Sequence, residues 1–146
     1  MERLGWPADM VADQQMNCIY VSDRYGEQTA PEEHPGIFAV TESGNSSHHA
    51  LDVSPAGLSL TPERLLLVVC EHQKKGRSLR FFHRRREGDG SGVMNLDELV
   101  ERRITLRMDR YLLQAVALGN DRFAVSHKSR GVHRIVVVDS SGTEVS

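Results

Sequence analysis

Aromatic residues make up only 5% of this 146-residue chain, and Trp6 is its single tryptophan. Cysteine is scarcer still. Cys18 and Cys70 each stand inside an apolar β-like run, which excludes a disulfide framework or a Cys-rich zinc site and suits a small buried hydrophobe. No apolar run approaches the roughly 20 residues of a membrane helix; the longest, Leu-Leu-Leu-Val-Val-Cys, covers residues 65–70. The opening MERLGWPADM has no apolar signal segment, so the expectation is an intracellular, cytoplasmic protein. Charge of one sign is lacking too. With 18 Lys and Arg against 20 Asp and Glu the net charge is −2, which offers no whole-chain attraction for nucleic acid. A Gly-x-Ser-x-Gly elbow, a phosphate-binding loop and the helical His-Glu spacing of zinc hydrolases are all missing.

What the chain does have is repetition. Val21-Ser22-Asp23, Val69-Cys70-Glu71 and Val125-Ser126-His127 share one grammar: valine, a small residue, then an ionisable one. These triplets recur at intervals of about fifty residues, the scale of a repeat unit. Each is preceded by a short, partly apolar segment and followed, after a polar loop, by another apolar run: residues 36–44, 78–82 and 133–142. In the first and third copies a glycine, Gly44 or Gly142, closes that run, as expected of a reversing turn that needs positive φ. Residues 48–53 and 102–107 are candidates for a fourth strand.

Short antiparallel strands punctuated by turn residues predict an all-β fold. Units of about 40 to 50 residues with four strands have the size of propeller blades. The reading is therefore about three antiparallel four-stranded blades of an incomplete β-propeller, at approximately residues 5–54, 55–109 and 110–146. Alternation places Ile19, Val21, Ile37, Ala39, Leu67, Val69, Phe123, Val125, Ile135 and Val137 between stacked sheets. Three blades leave a ring open, so missing blades or self-association would be needed to close it.

With one tryptophan and no Gly-Gly pair, WD40 and kelch signatures are absent. The stretch DRFAVSHKSRGVHRIVVVDSSGTEV, residues 121–145, resembles an NHL-type repeat, and IYVSD with GIFAVTESG resembles it again. The chain is also similar to uncharacterised metazoan propeller-like proteins. The middle unit departs from the pattern, having Glu71 for Asp and no His-Arg-Ile. The resemblance implies a non-catalytic scaffold that holds a protein partner through rim loops. In tripartite-motif proteins that role is substrate recruitment for a ubiquitin ligase.

Three local patterns suggest other chemistry. Residues 87–98, EGDGSGVMNLDE, approach a twelve-residue calcium loop, with Asp89, Ser91, Asn95 and Glu98 as oxygen ligands. A plain turn between strands is the bland reading, because a calcium hand needs flanking helices. Residues 74–86 carry seven cations interleaved with Phe81 and Phe82; Lys74, Lys75, Arg77, Arg84, Arg85 and Arg86 are the candidates for RNA binding. The bland reading packs the two Phe in the blade and leaves the cations on solvated faces. Finally, Asp23, Glu71 and His127 would converge on one rim if they held equivalent blade positions, and could share a divalent metal as in a propeller hydrolase or lyase. The sequence assigns no catalytic residue and requires no cofactor, with calcium at residues 87–98 and a divalent metal at the rim as the alternatives.

Overall fold

A computed structural model describes residues 7–24, 35–72, 76–88, 92–107, 111–119 and 121–145. The architecture is all-β, an incomplete β-propeller of three antiparallel sheets. Blade 1 is β1 (Pro7–Asp13), β2 (Cys18–Asp23), β3 (Gly36–Thr41) and β4 (Ser46–Ala50), hydrogen-bonded in that order. Blade 2 is β5 (Ser54–Leu60), β6 (Leu66–His72), β7 (Gly76–Arg86) and β8 (Met94–Glu98), with β9 (Ile104–Leu106) on the same edge of β7 as β8. A 3-10 turn at Val100–Arg102 divides β8 from β9, so the fourth strand of blade 2 comes in two pieces. Blade 3 is β10 (Tyr111–Gly119), β11 (Arg122–Ser129) and β12 (Val132–Asp139); the chain then folds back, with Val145 N–H donating to Val137 O at 2.8 Å.

The repeat is visible in the backbone. Each blade enters its second strand through one non-glycine residue of positive φ: Asn17 at 55°, Arg64 at 67° and Asp121 at 57°. Gly44 and Gly142 both sit at φ 84° in turns closed by the same pair of bonds, Gly44 N to Thr41 O and Gly142 N to Asp139 O. Glycine takes that conformation without the penalty that a Cβ brings.

Two apolar layers hold the blades. Between blades 1 and 2 lie Tyr20, Ile37, Ala39, Leu58, Leu66, Val68 and Phe82. Between blades 2 and 3 lie Leu67, Val69, Leu79, Phe81, Ala115, Phe123 and Val125. Successive residues of β6 thus go to opposite layers, and all of Leu65–Cys70 is buried. This explains the continuous apolar run at 65–70: a strand covered on both faces needs no polar alternate. The end blades are covered on one face only. Ile19 and Ile135, expected in the core, lie exposed, and Val21 and Val137 are half-buried, because they face away from blade 2. The remaining six of those predicted core residues are buried.

The innermost strands β1, β5 and β10 run side by side, with β5 between the other two. Gly57 makes one approach possible: a Cβ there would lie 2.4 Å from Leu113 O and 2.7 Å from Gln114 Cα. Among the described residues no helix is long and apolar enough to cross a membrane.

Gly57→Ala should lower the midpoint of chemical denaturation, by an overpacking cost of about 1–3 kcal/mol, since backbone rather than a flexible side chain blocks the new methyl. Both thiols are free and buried, and burial pushes Cys70 up to about 12 and Cys18 upward as well. A disulfide-exchange reagent at pH 8 should leave both unlabelled in the folded chain and modify both in denaturant; rapid labelling without denaturant would contradict the packing.

Candidate functional site

Polar side chains tie the blades where backbone ladders cannot. The Asp9 carboxylate on β1 accepts the Leu58 N–H of β5 at 2.8 Å and the Gln114 amide N–H of β10 at 2.7 Å. The same Gln114 nitrogen donates to Leu58 O at 3.0 Å, so one cluster joins all three inner strands. Ser22 donates from blade 1 to Ala56 O at 2.6 Å, and Ser59 donates from blade 2 to Ala115 O at 2.7 Å.

The expectation that Asp23, Glu71 and His127 occupy one blade position does not hold. Counted from the positive-φ residues Asn17, Arg64 and Asp121, Asp23 and His127 are six residues on and Glu71 is seven. Cys70 stands at the shared place, and Glu71 turns the other way. Its carboxylate accepts the Leu112 N–H of blade 3 at 2.8 Å and lies 3.1 Å from Arg24 and 3.4 Å from Arg77. His127 is buried on the face of β11 that looks towards blade 2. Among the described residues no three His, Cys, Asp or Glu side chains are grouped closely enough to hold a metal ion.

Asp89 and Ser91 of the calcium-loop pattern lie outside the described residues. The loop is flanked by strands, β7 up to Arg86 and β8 from Met94. Asn95 and Glu98 sit on β8: Asn95 donates to Glu87, and Glu98 pairs with Arg103 at 2.7 Å and Arg80 at 3.5 Å.

Part of the basic stretch is internal. Lys74 and Lys75 lie outside the described residues. The Arg84 side chain is covered between blades 1 and 2, where it donates to the Asp13 carboxylate, to Gln15 at 3.0 Å and to Arg64 O at 2.6 Å. Arg86 donates to Met16 O and lies 3.7 Å from Glu42. Arg85 is exposed beside Asp97 at 3.3 Å. Buried Arg80, on the same face as Arg84, pairs with Asp52 at 2.8 Å. The alternation that marks one face of β7 as polar is genuine, but that face is covered by blade 1, so its guanidiniums meet carboxylates instead of solvent. Phe81 and Phe82 are buried in the two apolar layers, as the bland reading had it.

A different cationic group does open to solvent. At one end of blades 2 and 3 a cleft of about 660 Å3 is lined by Arg77, Tyr111, His127, Lys128, Ser129, Arg130, Val132 and Arg134. Arg77 is the second residue of β7 and Tyr111 opens β10; the guanidinium carbon of Arg77 stands 5.9 Å from the Tyr111 ring centre. Lys128 and Arg134 flank a two-residue hairpin turn, Arg130-Gly131, with φ of 49° and 80° and strands rejoined at Ser129 and Val132. Such a turn suits the twist of the strands it joins. Among the described residues four cations converge on this opening, and Glu71 lies 3.4 Å from Arg77. The chemistry on offer is recognition of an anion, through planar forks that match carboxylate or phosphate. Sequence reasoning passed over Lys128, Arg130 and Arg134, which are spread through a strand, a turn and a strand; an Arg-Gly turn between basic strands was the available signal.

No known family profile matches the chain, and no curated protein matches it. Among solved structures it is similar to a crystal structure provisionally named a gluconolactonase, with a TM-score of 0.60 and 16% sequence identity. The match covers 95% of this chain and 46% of the other, so this chain spans about half the length of that protein. At that identity the likeness shows the fold: this is a propeller-type chain.

Burial alone would push the Asp13 carboxyl up, but hydrogen bonds from Arg84, the Tyr20 hydroxyl at 2.9 Å and the Met16 N–H at 3.1 Å outweigh it and hold it below its ordinary 3.8. A carboxyl depressed by folding contributes stability that is present above its unfolded value and lost as pH falls through the folded one. Stability should therefore fall as pH drops from about 4 downward, and Asp13→Asn should flatten that part of the profile. Arg84→Met, which strands a buried carboxylate, should cost about 3–5 kcal/mol at pH 7 in urea denaturation; a loss under about 1 kcal/mol would mean the pair behaves as an exposed one.

Proposed function

We propose that this chain is part of a propeller-type hydrolase of the lactonase class, and that the cationic cleft takes the anionic end of its ligand. The observation that carries this reading is the convergence of Arg77, Lys128, Arg130 and Arg134 on one opening large enough for a small molecule. The fold likeness to a protein provisionally named a gluconolactonase supports the hydrolase side. Addition of water to a sugar lactone opens the ring to a hydroxy acid, and its carboxylate is the group that guanidinium forks bind well. Tyr111 and Val132 supply apolar wall beside those forks.

The divalent metal that such hydrolases imply does not fit this cleft. Its lining is cationic, and among the described residues no carboxylate or imidazole trio stands ready to hold an ion. The described residues therefore bind and orient the ligand, and no step of hydrolysis is assigned to them. The scaffold reading, an NHL-type blade array holding a protein partner through its rim loops, rests on the strand grammar around His133-Arg134-Ile135. The RNA reading loses support because Arg84 and Arg86 are occupied within the chain.

Calorimetric titration with gluconate at low ionic strength should show saturable binding. Arg130→Ala combined with Arg134→Ala should weaken it by about tenfold or more, and added salt should weaken it too. Absent heat, or an affinity indifferent to the double substitution, would remove the cleft from consideration. Opening of gluconolactone above the buffer rate, with divalent cations supplied, separates a hydrolase from a binding module.

A further inference from the structure

Blades of one design place apolar residues at the same positions, and several of these are buried only where a neighbouring blade is present. Ile37 on β3 pairs with Ser22, and Leu79 on β7 pairs with Val69; counted from the turn residues, these are one place in the repeat. Both are fully buried against the blade that follows. Blade 3 has Ile135 at that place, paired with Ser126, and it is 73% exposed. The opposite end mirrors this. Leu58 and Ala115 occupy one inner-strand place and are buried against the preceding blade, whereas Met10 of blade 1 holds it 64% exposed. Ile19, 39% exposed, likewise corresponds to buried Leu66 and Phe123.

We propose that these two faces meet across two copies of the chain. Blade 3 of each copy packs on blade 1 of its partner, so that two chains close a single ring. Length supports a second copy as the occupant. The chain fits 95% of itself onto 46% of a propeller, so two copies supply that propeller's extent, and three blades per half make about six, within the usual range. Side-chain chemistry supports the head-to-tail sense. Ser126 holds the place of Ser22, whose hydroxyl reaches the inner strand of the next blade at 2.6 Å, while Ser126 donates within its own blade to Gln114 O at 3.4 Å. Joining a following face to a preceding face repeats the two blade contacts already inside the chain. It uses different surfaces on the two partners, and the ring closes after two copies because each spans half a turn.

Sedimentation of the full chain at micromolar concentration, with far-UV circular dichroism as the check on folding, tests this. The expected particle has twice the mass of the chain. Ile135→Asp and Met10→Asp, at opposite ends and both solvent-exposed in the single chain, should each return it to one chain mass with the β-type spectrum kept. A monomeric wild-type chain would overturn the proposal and leave the faces to another partner. So would a ladder of larger species, which is an open array. A dimer broken by Ile135→Asp but indifferent to Met10→Asp would overturn it too, because that is a symmetric pairing of one face.

Discussion

A blade is a sheet with two apolar faces, and each face must be covered by another sheet. Everything else in this structure follows from that requirement. Blade 2 meets it twice, which is why β6 can be a continuous run of Leu, Val and Cys with no polar alternate. Blades 1 and 3 meet it once, and their outward faces keep the same residue types while exposing Met10, Ile19 and Ile135. The large buried side chains are therefore divided between two layers on either side of one central sheet. At about 1.5–3 kcal/mol for each fully buried large apolar side chain, those layers are the main favourable term in folding.

Stacking sheets face to face gives no backbone ladder between them, so the inter-blade polar contacts fall to side chains. Asp9 and Gln114 close a cluster over β5, Ser22 and Ser59 each donate to the inner strand of the following blade, and Glu71 caps the Leu112 N–H. Arg84 with Asp13 adds a buried ion pair between blades 1 and 2. Such pairs contribute little net stability against an apolar substitute, but they penalise any mis-set blade that leaves one partner alone. Register between blades is thus set by a few polar contacts, and the strength of the contact by the apolar layers.

The same geometry separates two populations of arginine. Those on the face of β7 that blade 1 covers are held by carboxylates and carbonyls of the chain itself. Arg77, Arg130 and Arg134, with Lys128, line a cleft at the open end of blades 2 and 3, where Arg77 also pairs with Glu71 at 3.4 Å. Arg80 and Arg84 are held inside the chain, whereas the cations of the cleft are assembled from three separate strands and a turn.

Strand periodicity and turn chemistry act over a few residues, and both were legible in the bare sequence. The alternating runs marked β2, β3, β11 and β12; Gly44 and Gly142 marked their turns; the recurring triplets marked three repeat units and hence an all-β propeller. What was not legible depends on which face of a strand another blade covers. The triplet ending in Glu71 matched the other two by letter yet sits one residue out of step with them, because side chains alternate and a shift of one reverses the face. Ile135 and Ile37 hold the same place in the repeat, yet one is exposed and the other fully buried, because a blade follows blade 1 and none follows blade 3 within the chain. Local pattern selects strand and turn; burial, ion pairing and the cationic cleft arise only when sheets distant in the chain are stacked against one another.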